Sequence, residues 1–164
     1  MILAGDAGAT KTLLEVGSLR NGRWQPAFGR RYAAADHPTF DSVLRAFLRE
    51  WEAHAGAGDQ LAQACFGVAG PAFDNRVQMT NVGWLVDGAA IAAELSIPRV
   101  RVVNDFAAAA GGIAPKILPR RLAGGFLAAF NAKGAHADEV RKIPLSVVTN
   151  ERLALLGCAL LAQR

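Results

Sequence analysis

The first third of the chain has the apolar pattern of β-strands joined by tight turns. Residues 1–6 form a short apolar run that predicts a buried strand ending in a carboxylate, and residues 13–19 predict the second strand of a hairpin. Asn21-Gly22 is typical of a hairpin turn and leads into a third strand over residues 24–35. This third strand is less regular, so we expect it nearer the edge of the sheet.

Apolar residues then recur at the helical spacing i, i+3, i+4, i+7, i+8 and i+11, and they are Phe40, Val43, Leu44, Phe47, Leu48 and Trp51. This spacing predicts an amphipathic helix that Thr39 caps. Residues 61–68 predict another strand, and Asp87 can cap a short helix over residues 88–95. Strands that alternate with helices indicate an α/β protein.

A β-branched run at Val100, Val102 and Val103 predicts an interior strand, and it ends in Asn104 and Asp105. Ligands of α/β sheets bind at the carboxyl ends of strands, where a carboxylate can accept a proton from a hydroxyl. An Asn-Asp pair after a strand can equally be a turn or a helix cap. The local pattern leaves both interpretations open.

Two other stretches offer groups for a ligand. The loop at residues 7–12 has small side chains that leave backbone N–H groups open to a phosphate, and Asp6 can hold Mg²⁺ through water. Similar Gly- and Ala-rich turns also close hairpins that bind nothing, and the glycine spacing of a P-loop is missing. Asn81, in a brief extended segment at residues 77–84, can hydrogen bond to a polyol.

At the other end of the chain, residues 145–149 predict a strand. Asn150 is the predicted cap of a helix over residues 151–162. Leu153, Leu156 and Leu160 are its predicted apolar face.

Composition narrows the class of protein. With 164 residues, 52% apolar and 20% charged, the chain can form one domain with a sizeable core. It has no apolar run of membrane-spanning length and no leader pattern, so we expect a cytoplasmic protein without a membrane partner. The net charge of +4 is dispersed, which argues against nucleic acid and suits an anionic small ligand. Cys65 and Cys158 are predicted to be buried free thiols.

Four motifs in series resemble the bacterial glucokinase family. They are Ala-Gly-Asp-Ala-Gly-Ala-Thr-Lys-Thr at residues 4–12, Phe-Gly-Val-Ala-Gly-Pro at 66–71, Thr-Asn-Val-Gly-Trp at 80–84 and Val-Asn-Asp-Phe-Ala-Ala-Ala at 103–109. Their order and gaps are those of the family. Ala9 departs from the pattern, because the family usually has a second glycine at this place.

The resemblance implies the actin-like ATPase fold, which is ribonuclease-H-like, with the small domain completed by the C-terminal strand and helix. It implies ATP and Mg²⁺ as cofactors, glucose or a similar hexose as partner, and Asp105 as the general base for the sugar 6-hydroxyl. Asn104 and Asn81 are the expected sugar ligands, and Gly111 and Gly112 are expected on the adenosine side. The residues expected at the ATP phosphates are Asp6, Gly8, Ala9, Thr10, Lys11 and Thr12.

The second half of the chain resembles the C-terminal end of the same family, but a long stretch of full-length members has no counterpart. We therefore expect a small N-terminal domain at residues 1–106, an apparent deletion junction at 107–112 and a C-terminal segment at 113–164. The missing stretch would hold most of the larger domain and further sugar-binding residues. Its loss would expose apolar surface, which favours a homodimer.

The chain has three candidate functions. The first is ATP-dependent phosphorylation of glucose to glucose 6-phosphate, weak or absent in so short a chain, because positioning of both substrates normally needs a closed cleft. The second is a non-catalytic isolated small domain that folds and self-associates. A ribonuclease-H-like nucleic-acid module is the third, and it lacks the clustered carboxylates of two-metal chemistry.

Overall fold

The computed structural model of the protein describes residues 1–56, 58–112, 132 and 150–163. The chain divides into two compact units, of which one comprises Met1–Ile113 with Arg152–Arg164 and the other Ala114–Glu151. Every helix and strand described below lies in the first unit. In the described part of the chain, no helix is long and apolar enough to cross a membrane.

In the part of the chain that the structure describes, eight strands form two sheets. They are β1 (Ile2–Ala7), β2 (Lys11–Arg20), β3 (Arg23–Ala33), β4 (Gln63–Val68), β5 (Ala72–Phe73), β6 (Arg76–Gln78), β7 (Leu85–Asp87) and β8 (Arg99–Asn104). The larger sheet has the order β3-β2-β1-β4-β8, with β1, β4 and β8 parallel and β2 and β3 antiparallel to their neighbours. The carboxyl ends of β1, β4 and β8 therefore meet at one edge.

The predicted hairpins are confirmed. Asn21 and Gly22 both have positive φ angles, of 53° and 70°, as a two-residue hairpin turn between β2 and β3 requires. The third strand lies at the edge of the sheet, as predicted, but it ends at Ala33. The next three residues form a short 3₁₀ helix, Ala34–Asp36.

The described residues contain four α-helices: α1 (Phe40–Glu52), α2 (Gly88–Leu95), α3 (Asp105–Gly112) and α4 (Leu153–Leu161). The N-caps predicted for α1 and α2 are both confirmed. The Thr39 hydroxyl accepts a hydrogen bond from the Ser42 N–H at 3.1 Å. The Asp87 carboxylate accepts from the N–H groups of Ala89 and Ala90 at 3.0 and 3.2 Å.

The large sheet has apolar clusters on both faces. On one face the aromatic side of α1 packs against β1, β2 and β4, and the largest buried side chains there are Phe40, Phe47, Phe66, Leu3 and Leu14. On the other face α3 and α4 pack against β1 and β4 through small side chains, including Ala4, Cys65, Ala108 and Cys158. Both cysteines are buried free thiols, as predicted.

The prediction for the C-terminal helix is wrong in its start and in its buried face. The helix begins at Leu153, and its N-cap Arg152 makes no side-chain capping bond. The buried residues are Leu155, Gly157, Cys158, Ala159 and Ala162, whereas Leu153, Leu156 and Leu160 are partly exposed. Almost every position of this helix is apolar, so periodicity could not identify the face that packs. The predicted strand at 145–149 lies outside the described residues.

The small sheet of β5, β6 and β7 closes the free edge of β8 through one side chain. Asn75, in the turn between β5 and β6, donates from Nδ2 to the Val100 carbonyl at 3.0 Å and accepts from the Val102 N–H at 2.6 Å. The amide thus replaces a neighbouring strand. Sequence reasoning predicted an extended segment here but not this contact.

Candidate functional site

The turn between β1 and β2 leaves backbone N–H groups available. The Gly8 N–H donates to the Lys11 carbonyl at 2.9 Å, and the Thr10 carbonyl accepts from the Ala34 N–H at 3.0 Å. Within the described residues, the N–H groups of Ala9 and Thr10 have no hydrogen-bond partner in the chain. Because the side chains at positions 8 and 9 are small, an anion can approach these donors.

Asp6, at the end of β1, lies within electrostatic range of both Asp105 and Lys11. Burial raises the pKa of Asp6, the negative charge of Asp105 raises it further, and Lys11 lowers it. Asp6 and Asp105 are both half-buried. Two carboxylates and an ammonium group thus share one region, although they are far apart in sequence.

Asp105 is the first residue of α3, and Asn104 is the last residue of β8. The Asn104 Oδ1 accepts from the Phe106 N–H at 3.0 Å and from the Ala107 N–H at 3.3 Å. One Asp105 carboxylate oxygen also accepts from the Phe106 N–H, at 2.9 Å. The helix-cap interpretation of the Asn-Asp pair is therefore correct for Asn104, and it holds Asp105 at the edge of the site.

The motif at residues 66–71 includes Gly67, but the sequence assigned it no role; it lies in β4, between the strands that lead to the two carboxylates. It is paired with Asp6 on one side and with Val103 on the other. A Cβ atom at Gly67 would lie 2.8 Å from the Ala108 Cβ and 3.8 Å from the Asp105 Cα. Only a glycine lets α3 lie this close to the strand, and a glycine near the end of a buried strand was the available signal.

Thr12 lies away from the other phosphate-loop residues. It is in β2 opposite Ala7, on the α1 side of the sheet, and its hydroxyl is fully buried without a hydrogen-bond partner. The side chains of Asp6 and Leu13 lie on the other side. A phosphate contact of the Thr12 hydroxyl stays a prediction, and it requires the turn to open.

Three further predicted residues lie elsewhere in the unit. Gly111 and Gly112 are at the end of α3 against α4, where a Cβ atom at Gly112 would lie 2.3 Å from the Leu153 carbonyl oxygen. Asn81 is exposed in the turn between β6 and β7. The roles of these residues towards adenosine and sugar stay predictions.

The donors at the edge of the sheet fit a magnesium nucleotide better than a metal held by the protein alone. The described residues contain no group of three or more His, Cys, Asp or Glu side chains that could hold a metal ion. Mg²⁺ in phosphoryl-transfer sites is usually bound by one or two carboxylates together with substrate phosphates and water. Asp6 beside open N–H donors satisfies that requirement.

The raised pKa of Asp6 leads to a prediction for the ligand-free chain. Ionised Asp6 costs folding free energy, because its native pKa lies above the ordinary value of 3.8 and the native state therefore binds the proton more tightly. We expect Asp6→Asn to stabilise the chain at pH 7 by about 0.5–1 kcal/mol. The gain should disappear as the pH falls below the ordinary pKa. Thermal unfolding of both proteins between pH 3 and pH 7 measures this, and a destabilised variant at pH 7 would contradict the prediction.

Comparisons with solved structures define the class of protein. The chain superimposes on the crystal structure of a glucokinase from an Antarctic psychrotroph with a TM-score of 0.61 and 25% identity, covering 71% of this chain and 35% of that one. A ROK family glucokinase from Streptomyces griseus, solved with glucose and AMPPNP, gives a TM-score of 0.50 and 26% identity over 68% of this chain and 35% of that one. The described unit has the actin-like ATPase fold of sugar kinases.

The sequence comparisons then identify the family. The model of the Glucokinase family matches residues 3–110 and again residues 109–164, so the chain belongs to this family. The glucokinase of Nostoc sp. is 35% identical over 114 residues, which are 69% of this chain and 32% of that protein. The Synechocystis sp. glucokinase is 36% identical over 116 residues, 68% of this chain and 33% of that protein. The chain thus spans about a third of the length of the curated relatives it matches.

Proposed function

We propose that the chain carries the phosphate-binding loop and the proton acceptor of a glucokinase, and that its activity is ATP-dependent phosphorylation of glucose at the 6-hydroxyl. The observation that carries this proposal is the grouping of Asp6, Lys11 and Asp105 at one edge of the sheet. Family membership supports the choice of glucose. The S. griseus structure, which contains glucose and AMPPNP, supports ATP as the second substrate.

Each residue has a part in the proposed reaction. The N–H groups of Ala9 and Thr10 and the ammonium group of Lys11 bind the phosphates, and Asp6 would hold Mg²⁺. When bound, Mg²⁺ neutralises phosphate charge as it develops. Asp105 accepts the proton of the sugar hydroxyl while that oxygen forms its bond to the transferred phosphorus and ADP leaves.

Binding of the two substrates tests the proposal most directly. We expect isothermal titration of AMPPNP with Mg²⁺ into the purified chain to give a saturable signal that Lys11→Ala weakens by tenfold or more. Glucose should bind in a separate titration, and Arg23→Ala, a cation at the far end of the hairpin, is the matched control. If neither ligand binds, the kinase function is lost from this chain.

The second candidate is a non-catalytic small domain with a junction near residues 107–112, where the two segments that match the family model, residues 3–110 and 109–164, meet. Large apolar side chains are exposed on this unit: Phe73 by 74%, Leu85 by 51% and Phe106 by 80%. Phe73 and Leu85 lie on the face of the small sheet opposite the buried Val77 and Val86. Such surface favours self-association.

A homodimer through this surface has a simple test. We expect light scattering to give twice the chain mass at high concentration and the mass of one chain for the double variant Phe73→Ser, Leu85→Ser. A wild-type chain that stays monomeric at millimolar concentration contradicts the homodimer.

A further inference from the structure

The ends of the three parallel strands are linked to one another by two hydrogen bonds. The Ala69 N–H, just after β4, donates to the Ala7 carbonyl at the end of β1 at 3.0 Å. The Asn104 side chain, at the end of β8, donates from Nδ2 to the Gly70 carbonyl at 2.8 Å. The short loop after β4 thus connects the phosphate-loop strand to the strand that precedes Asp105.

Asn104 uses almost all of its hydrogen-bonding capacity on the backbone. A side-chain amide has two N–H hydrogens and an oxygen with two lone pairs. One hydrogen is donated to Gly70, and the oxygen accepts from Phe106 and Ala107 at the first turn of α3. A single N–H hydrogen remains for a sugar.

The acceptor of the bond from Asn104 is the carbonyl of a glycine that packs closely against β6. Gly70 has a φ angle of +155°, where a side chain is disfavoured, and a Cβ atom there would lie 2.8 Å from the Val77 Cγ1. Gly70 therefore packs so closely against β6 that only a glycine fits there. Asn104 joins the carbonyl of this residue to the beginning of the helix that carries Asp105.

We propose that Asn104 is a positioning residue, which orients the Asp105 carboxylate by capping α3 and tying its start to the loop after β4. The proposal rests on the proposed role of Asp105 as base. It predicts that loss of Asn104 lowers kcat, whereas a residue that only binds sugar would chiefly raise KM for glucose.

The first test needs neither ligand nor turnover. In NMR of the uniformly labelled chain, we expect three-bond couplings to show one χ1 rotamer of Asp105 in the wild type and averaging among rotamers in Asn104→Ala. Amide exchange of Phe106 and Ala107 should accelerate by tenfold or more. Asn104→Ser, whose hydroxyl can still cap the helix but cannot reach Gly70 equally well, should restore slow exchange and most of the rotamer preference.

The chain offers a matched control in Asn75. It too binds the backbone of β8 through both ends of its amide, but these bonds are to Val100 and Val102 within the strand and not to the first turn of α3. Asn75→Ala should lower the unfolding temperature without averaging the Asp105 rotamer. If Asp105 keeps a single rotamer in Asn104→Ala, or loses it equally in Asn75→Ala, the positioning role is wrong.

Kinetics in a coupled glucose 6-phosphate assay form the second arm. We expect Asn104→Ala to reduce kcat by tenfold or more with KM for glucose within a factor of three, and Asn104→Ser to recover most of kcat. A raised KM for glucose with kcat unchanged in Asn104→Ala would overturn the proposal. A wild-type chain without turnover contradicts the proposed function, whereas the NMR arm still decides the positioning role.

Discussion

Gly157→Ala is expected to destabilise the unit by about 3 kcal/mol or more, because α3 and α4 touch through their backbones at this residue. A Cβ atom at position 157 would lie 1.6 Å from the Ala108 carbonyl oxygen and 2.7 Å from the Gly112 nitrogen. Both neighbours are backbone atoms, so no side-chain rotation can relieve the overlap. Urea unfolding followed by circular dichroism should show a lower midpoint.

The control separates this overlap from the general effect of replacing glycine. Gly56→Ala introduces the same methyl group where the nearest atom is the Asp59 Oδ2 at 3.5 Å, and it should change stability by less than about 0.5 kcal/mol. Ala108→Gly should not rescue Gly157→Ala, because the carbonyl oxygen of residue 108 remains. Equal midpoints for Gly157→Ala and the wild type would show that α4 does not pack on α3 in this way.

The helices that could be predicted from the sequence are those in which the apolar residues identify a single buried face or a clear first residue. In α1 the apolar residues lie on one side of the helix and the polar residues on the other. Thr39 and Asp87 come directly before α1 and α2, so the start of each helix could be predicted. In α4 the apolar residues surround the helix, and its packing is decided by small residues on the sheet, such as Ala4 and Cys65. No pattern within the helix contains that information.

The candidate site also has a part that the sequence predicts and a part that it does not. The parallel order of β1, β4 and β8 brings Asp6 and Asp105 to one edge, and the strand-end rule predicts this from the sequence. Gly67 and the bonds of Asn104 depend on the distance between α3 and the sheet. That distance is set by contacts between segments far apart in sequence, and these contacts leave no local pattern.

The exposed face of the unit has a consequence for catalysis. The described residues place phosphate donors and a candidate base on one wall, and Phe106 beside Asp105 is 80% exposed. Phosphoryl transfer to a sugar must exclude water, because water is itself an acceptor. A site built from these described residues alone should therefore bind substrates more weakly than a closed cleft does and should admit water as a competing acceptor.

Asp105→Asn is expected to reduce kcat/KM for glucose by about 10²–10⁴-fold, the usual contribution of a general base. The amide is nearly isosteric, and its oxygen can still accept from the Phe106 N–H, so α3 should begin at the same residue. In the proposed reaction, what it loses is the ability to take the proton of the 6-hydroxyl. Glucose affinity by calorimetry should stay within a factor of three. The same change removes a negative charge beside Asp6, so the pKa of Asp6 should fall towards its ordinary value, which carboxyl NMR can follow.

The comparison also decides whether any measured turnover belongs to this chain. A contaminating host kinase would give equal rates in the wild type and in Asp105→Asn, whereas catalysis by the chain requires the carboxylate. Asp74→Asn is the matched control, since Asp74 lies exposed in the turn between β5 and β6 with a φ angle of 47° that asparagine tolerates well. It should keep the wild-type rate. Loss of turnover in both variants would mean that the assay reports folding, and equal turnover in all three would remove Asp105 from the reaction.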